Sequence, residues 1–512
     1  EGAVNDPSIA MYTSTRAFAV TFPRIDKGDI VDIRFRIDDV APQNDVSDFF
    51  YDVEYLQDQT PVYHAEYVLF VPKARKLQTF VHNLPGTAPE ITTEGERTTY
   101  RFVAKDLRPL PREPNMPVLG EIAGQVHVST FQSWLARDQL DVDDQVRKKV
   151  AELTQGLKTE AEKVKAVYRF ATELRYVALE LGIEGIKPRR CALTMARGWG
   201  DCKDKATVIV TMLRELGIPA NLVLIRTSQR GDLPKGAPPS IAVFDHAIAY
   251  VPSLDLYLDG TAEGNGSGSI PAMDRDSVAL IVSETGGKLV RVPNPPASQS
   301  PHDRQIEVAL DADGSARFSF ATEVAGVHAA AWRARYHGES TRADRAALDL
   351  TTFFGTVEVD KGPQGIVVKD ADDIEKPFRI TIKGKAPSAA RREGEALSVP
   401  VASSLELLRS VASLSTRETE VVIGALTSSS EVRVIKLPAG MKALRLPDDR
   451  EVKSPFGTLA ITTKSEPGRV IVTSRFAIEK SRIPTSEYAA FRAFCQQADD
   501  AMGQRLLVGK GP

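Results

Sequence analysis

The segment GWGDCKDKATVIVTMLRELGIPA, residues 198–220, decides how this chain is read. Asp201 is a helix-capping residue, and Ala206, Ile209, Leu213 and Leu216 recur behind it at helical spacing, so a helix is predicted to start at Asp201. Gly217 closes that helix, and Ile218-Pro219 leads into a strand, NLVLI. Cys202 therefore falls in the first turn. There, free backbone N–H groups and the positive end of the helix dipole favour a thiolate over a thiol. Lys203 and Lys205 add positive charge, partly offset by Asp201 and Asp204. An isolated cysteine is ordinarily a small buried hydrophobe. Polar flanks and a helix-start position set this one apart.

A nucleophilic cysteine needs a base, and the base needs an orienting group. In FDHAIAYVPSLDLYLDGT, residues 244–261, period-two alternation puts Phe244, His246, Ile248 and Tyr250 on one face of a strand. A four-residue hairpin loop at Pro252–Asp255 would pair Val251 with Leu256 and Ile248 with Asp259. Paired residues share a face, so Asp259 stands one diagonal step from His246, at a Cβ separation of roughly 5.5–8 Å. A slip of one residue in the pairing would destroy the arrangement. Each residue alone reads as a core histidine or a turn aspartate. Together, downstream of a cysteine at a helix start, they propose a nucleophile, a base and an orienting acid in the order Cys202, His246, Asp259.

The rest of the chain gives this centre its setting. A length of 512 residues exceeds one hydrophobic core and suggests about three domains. Hydrophobic residues make up 42% and charged residues 26%, with 35 Gly and 32 Pro, which excludes a collagen, a disordered chain or a disulfide scaffold. Lys plus Arg number 65 against 68 for Asp plus Glu, a net −3 with no basic stripe, so no nucleic acid partner is expected. No apolar run is long enough for a transmembrane segment. Three cysteines, Cys191, Cys202 and Cys495, lack CxxC spacing and allow one disulfide at most. Cys495 shares a helix face with Tyr488, Phe491 and Met502 and reads as core. The chain opens at Glu1 rather than Met, so some upstream sequence is expected to have been removed.

Three regions are predicted. Residues 1–130 carry short alternating runs (RAFAVTF, IVDIRFRI, AEYVLFV) broken by Pro, Gly and Asp, which reads as an antiparallel β domain. Residues 131–295 hold helices at Gln145–Leu153, ended by Gly156, and after a Thr159–Glu162 capping box, then the Asp201 helix and the strands NLVLI, FDHAIAYV and LYL. A Pro-rich linker at 292–301 precedes a C-terminal β domain, 300–512, with ARFSFATEV, FRITIKG, EVRVIKLP, TLAITTK and RVIVTSRFAI as strands and a final helix near Ser486–Gln504.

The pieces RGWGDCKDKATVIVTMLRELGIPA, FDHAIAYV and LYLDGT resemble the transglutaminase-like superfamily across roughly residues 140–290. The flanks YTSTRAFAVTFPRIDKGDIVDIRFRI, PVYHAEYVLFVP and VSTFQSWL, and SPFGTLAITT and SEYAAFRAF, are similar to the β-rich domains of unknown function beside such cores in bacterial envelope proteins. Only the later part of the first domain is matched. The resemblance implies a papain-like cysteine-protease fold in a multidomain α+β protein, with a sandwich-like C-terminal domain. It implies Cys202 as nucleophile, His246 as base and then acid, and Asp259 as orienter. It also implies an oxyanion donor from the Cys202 N–H and a second from an upstream aromatic or amide, for which Tyr176 is the candidate; a core aromatic is the ordinary reading of Tyr176. Trp199, between two glycines, either lines the substrate groove or packs. Cys191 stands where the family carries an ordinary residue, and a regulatory disulfide with it is the exceptional reading.

The substrate implied is a protein or peptide amide, and the location periplasmic or cell-envelope. No cofactor is called for. No metal site is expected either, since His64, His82 and His127 lie scattered through the β domain without ligand spacing. Phosphate-loop, HExxH, EF-hand and GxSxG motifs are absent. The GNGSGS stretch at 264–269 reads as a flexible loop near the site, and 227–240 as a long polar loop bordering the groove. The competing class is a non-catalytic envelope scaffold, a peptide- or glycan-binding module whose β domains also contact a partner protein.

Overall fold

The computed structural model describes residues 21–22, 24–36, 50–130, 139–178, 187–237, 240–283 and 286–511, together with the backbone of 2–3 and 16–17. In the N-terminal region, β1 (Phe50–Tyr55), β2 (Val62–Pro72), β3 (Gln78–His82), β4 (Glu90–Glu94), β5 (Arg97–Leu107) and β6 (Gln125–Thr130) form two antiparallel sheets, in the orders β1-β6-β3 and β2-β5-β4. Strict alternation along β5 buries Tyr100, Phe102 and Ala104 against Val126 and Val128 of β6. The expected strand IVDIRFRI is not formed over its described residues 30–36. Ile30 and Phe35 are 95% and 82% exposed. Alternation supplies a face, but a strand also needs a neighbouring edge, and none of the described strands pairs with this segment. Of RAFAVTF, only Arg16–Ala17 is paired, with Gly2–Ala3, and 18–20 lie outside the described residues. So do residues 131–135 of VSTFQSWL.

The middle region is built around helix. Asp143 caps α1 (Asp144–Thr154) by accepting from the Val146 N–H at 2.9 Å. Thr159 and Glu162 form the expected capping box of α2 (Glu160–Glu173). That helix stops at Glu173, because Arg175–Tyr176 turn extended to pair in parallel with Trp199–Gly200. The helix α3 (Cys191–Arg197), which the sequence pattern did not announce, precedes α4 (Cys202–Glu215). Gly217, at φ +74°, turns the chain out of α4.

The strands β7 (Asn221–Arg226), β8 (His246–Val251), β9 (Leu256–Leu258), β10 (Val278–Ser283) and β11 (Gly286–Arg291) make an antiparallel sheet ordered β9-β8-β7-β10-β11. One face, with Leu222, Ala249, Val251 and Leu258, packs on the helices. The other, with Val223, Ile225, Ile248 and Ala279, forms a second core. Helix α4 is enclosed by α1, α2, α3 and this sheet, so every residue from Lys203 to Leu213 is buried rather than one apolar stripe alone.

In the C-terminal region, β12 (Pro301–Leu310), β13 (Ala316–Val324), α5 (Ala329–Tyr336), α6 (Arg342–Phe354), β14 (Phe378–Ala386), β15 (Ala396–Pro400), β16 (Thr427–Lys436), β17 (Gly457–Glu466), β18 (Arg469–Ile478), α7 (Tyr488–Met502) and β19 (Arg505–Gly509) follow. A large sheet runs β14-β13-β12-β16-β18-β17, with only β12–β16 parallel among these pairs. Its Phe318, Phe320, Ile380 and Ile382 share a core with Leu397, Val399, Leu506 and Val508 of the second sheet and with Tyr336 and Leu350 of the two helices. The region is thus sandwich-like with helical cover. Cys495 is buried within α7 as expected.

The three regions are fastened together. Glu121, after β5, accepts from the Asp232 N–H of the middle region at 3.0 Å and from Arg482 of the C-terminal region at 2.6 and 2.9 Å. Glu113 accepts from the N–H groups of Glu418 and Thr419.

Candidate active site

Asp201 caps α4 as expected. Its Oδ1 accepts from the Asp204 N–H at 3.2 Å, and Asp204 returns a bond to the Asp201 N–H at 3.3 Å. Asp204, fully buried, also accepts from the Arg189 backbone at 2.7 Å and the Arg189 guanidinium at 2.8 Å. Lys203 pairs with Asp201. The first turn of α4 is therefore fixed on both sides, and Cys202 is its first residue, half-buried and free of any disulfide. A first helical residue has its N–H outside the helix ladder and available to a ligand.

The β8–β9 hairpin has the predicted register. Val251 pairs with Leu256 and Ala249 with Leu258 across a Pro252–Asp255 loop, which brings Asp259 opposite Ile248 just past the end of β9. His246 Nε2 lies 3.2 Å from Asp259 Oδ2, both side chains being almost wholly buried. The contact is close but off the line of a good hydrogen bond, so both atoms remain without an aligned partner. On its other oxygen, Asp259 accepts from the Thr261 N–H and hydroxyl at 2.8 Å each.

Burial works to lower the pKa of His246, but the neighbouring Asp259 carboxylate and Cys202 thiol outweigh burial and hold the imidazole above its ordinary range. Burial would likewise raise Asp259, and His246 and Thr261 instead hold it below the usual carboxylate range. With Nε2 turned to Asp259, Nδ1 is the ring nitrogen left for the thiol.

The structure adds a group the sequence did not suggest. Asp274, in a turn whose N–H bonds back to Pro271 O at 3.1 Å, is fully buried beside this pair. A ring nitrogen of His246 and one carboxylate oxygen each of Asp259 and Asp274 all lie within 4.8 Å of one another. Burial first, and then the Asp259 charge, push the Asp274 carboxyl up to about 8. No periodicity marks an aspartate in an irregular turn, so only the fold reveals it. Lys205, one turn into α4, is also buried; its Nζ donates to Thr172 O at 3.5 Å, and burial pulls its pKa down against the opposing charges of Glu263 and Asp259.

The two aromatic candidates separate. Tyr176 pairs through its backbone with Gly200, two residues from Cys202, and the residue is 44% exposed. Trp199 is half-buried with the guanidinium groups of Arg189 and Arg197 over its ring at 5.5 and 5.3 Å. Cys191 is buried, is not in a disulfide, and has its thiol pushed up to about 12 by burial.

The 264–269 stretch is fastened rather than free. Within 264–269, Ser267 donates its N–H and hydroxyl to Glu375 at 2.7 and 2.9 Å, Arg333 donates to Gly264 O, and Tyr168 donates to Asn265 O. Gly266 allows close approach of the C-terminal region: a Cβ there would stand 2.6 Å from Ile374 O. Of the polar stretch after β7, Gly236 lies against Phe80 of the N-terminal region. An open concavity of about 680 Å³ lined by Tyr250, Tyr257, Lys288 and Arg291 does not include Cys202, His246 or Asp259.

Three family models match the chain. The transglutaminase-like superfamily model covers residues 147–254, a domain of unknown function with a solved structure (DUF3857) covers 3–111, and a second such domain (DUF3858) covers 397–508. Cys202 and His246 fall inside the first match; Asp259 and Asp274 lie just beyond it. A crystal structure of a "putative protease" from Parabacteroides distasonis is similar over 90% of this chain and 75% of its own, with a TM-score of 0.59 and 15% identity, a likeness of fold. A "putative cysteine protease" from Cytophaga hutchinsonii matches 42% of this chain and 78% of its own at 15% identity and a TM-score of 0.19, too low to bear on the fold. No curated protein matches.

Proposed function

From a chain that carries a transglutaminase-like core between DUF3857 and DUF3858 domains, we propose a cysteine-dependent enzyme acting on protein or peptide amides. The observation that carries the reading is the meeting of a helix-start Cys202 with a His246 whose far nitrogen faces buried Asp259 at 3.2 Å.

The Cys202 sulfur, its proton passed to His246 Nδ1, attacks a carboxamide carbon. The carbonyl oxygen takes up negative charge against the Cys202 N–H at the positive end of α4, with the Tyr176 hydroxyl as a second donor. His246 returns its proton to the departing nitrogen, leaving ammonia or an amine free and a thioester on Cys202. Water or an amine then adds to the thioester, giving its proton to His246, and the thiol leaves. Asp259 fixes the ring orientation and stabilises the imidazolium between the two proton transfers. Water as acceptor makes the enzyme a peptidase or amidase; an amine makes it an acyl transferase. A periplasmic or envelope location belongs to the same reading and is supported by the resemblance of the flanking domains.

The test is incubation of the protein and its Cys202→Ala variant with a denatured protein and a fluorescent primary amine. New N-termini, released ammonia or incorporated amine in the wild type alone are the expected results. Equal signals from both proteins in all three measurements would contradict the reading and favour the scaffold alternative.

A further inference from the structure

Four buried polar atoms cluster without aligned hydrogen-bond partners: His246 Nε2, Asp259 Oδ2 and both oxygens of Asp274. Asp274 is 0% exposed, and its carboxyl lies within reach of both neighbours. Two carboxylates this close and this buried do not both stay ionised, because no water screens their repulsion. Asp259 is the one stabilised as an anion, by Thr261 on Oδ1 and by His246 on Oδ2. Asp274 has no comparable donor. The other groups whose charge reaches it are Asp245, before β8, and the Tyr168 hydroxyl of α2, whose proton is already given to Asn265 O. Of its neighbours only the His246 imidazolium acts to lower it, and burial and the Asp259 charge outweigh that pull.

A proton on Asp274 removes the repulsion and turns an orphan acceptor into a donor with Asp259 Oδ2 as its acceptor. We propose that Asp274 is a positioning residue, a neutral carboxylic acid that donates its O–H to Asp259 and so holds the carboxylate that orients His246. It touches neither substrate nor thiol. It acts by holding the Asp259 carboxylate beside Nε2 of His246, 3.2 Å away, which leaves Nδ1 for the Cys202 thiol. This rests on the Cys202–His246 reading above.

The experiment measures the rate of Cys202 alkylation by limiting iodoacetamide, by intact mass, from pH 5.5 to 9.5. It compares wild type, Asp274→Leu, which removes the donor at similar volume, and Asp274→Asn, which keeps a donor that cannot ionise. At pH 6, Asp274→Leu is expected to slow labelling by about tenfold or more, and Asp274→Asn to restore it to within about threefold of wild type, with all three melting as folded proteins. The ratio of wild type to Asp274→Asn should stay near unity at low pH and depart from it above pH 8, as only Asp274 loses its proton. Wild-type labelling in Asp274→Leu overturns the proposal. So does an Asp274→Asn variant as slow as Asp274→Leu, or zinc that protects Cys202 in wild type but not in Asp274→Asn, which would make the triangle a cation site. Independence of wild-type labelling from His246 would instead mark failure of the underlying pair.

Discussion

Replacing Asp259 by Asn changes one charge in a nearly constant volume, and its consequence can be worked from the geometry. A carboxylate 3.2 Å from an imidazolium is worth about 1 kcal/mol at the dielectric constant of water and about 5 kcal/mol at the effective constant of about 20 that suits protein sites. The His246 and Asp259 side chains are only 7% and 1% exposed, so the larger figure is the better guide. A second effect acts in the same direction. Thr261 gives two hydrogen bonds to Oδ1, so the new amide keeps its oxygen there and presents NH2 to His246. That favours the tautomer with Nε2 as acceptor and Nδ1 protonated, which cannot take a proton from Cys202. The expected loss in Cys202 alkylation at pH 6 is therefore at least tenfold and up to several thousandfold. Near pH 9 the loss should shrink as free thiolate forms without a base. Intact-mass kinetics with limiting iodoacetamide across that range would read it. An Asp259→Asn variant that labels like wild type at pH 6 would refute the orienting role.

Other consequences are equally direct. Asp204→Ala removes a buried acceptor of the Arg189 guanidinium and N–H and of the Asp201 N–H and should cost about 1–3 kcal/mol of middle-region stability, read as a fall in denaturation midpoint; an unchanged midpoint would deny Asp204 its role. Asp274 keeps its proton in the fold up to about 8, against an ordinary 3.8. The folded state then binds more protons than the unfolded one between those limits, so stability falls as pH rises, by at most ~1.4 kcal/mol per pH unit. Asp274→Asn lacks that slope, and its denaturant midpoint should gain on wild type from pH 4 to 8; parallel curves would contradict the raised value. Glu375→Ala removes both bonds to Ser267 and should raise amide exchange across 262–270 with little change in β1–β6, whereas unchanged exchange would mean the loop is held by packing alone.

Much of the site was legible because it is encoded locally. A capping residue, the cysteine after it and a glycine stop lie within one helix length, and the Pro252–Asp255 loop length alone fixes the register that brings Asp259 near His246. What was hidden depends on partners distant in sequence. GNGSGS reads as a flexible tether until Glu375, 108 residues from Ser267, accepts its bonds. Asp274 sits in a turn, where no periodicity marks a residue as buried. The run from Ile30 has the right alternation, yet none of the described strands pairs with it. β12 starts at Pro301, inside a stretch that composition marks as linker. Helices α5 and α6 interrupt a β-rich region and bury Tyr336, Ala346 and Leu350 against the sheet strands; the strand pattern around them masked that face.

The central claim is that Cys202 and His246 form an activated pair, and it is tested most directly by brief exposure to limiting iodoacetamide at pH 6, with His246→Ala in parallel and labelled sites located by peptide mass. The account predicts selective alkylation of Cys202 over buried Cys191 and Cys495, collapsing by at least about tenfold in the variant. Slow or indiscriminate labelling of the wild type, or equal rates in the two proteins, would contradict it.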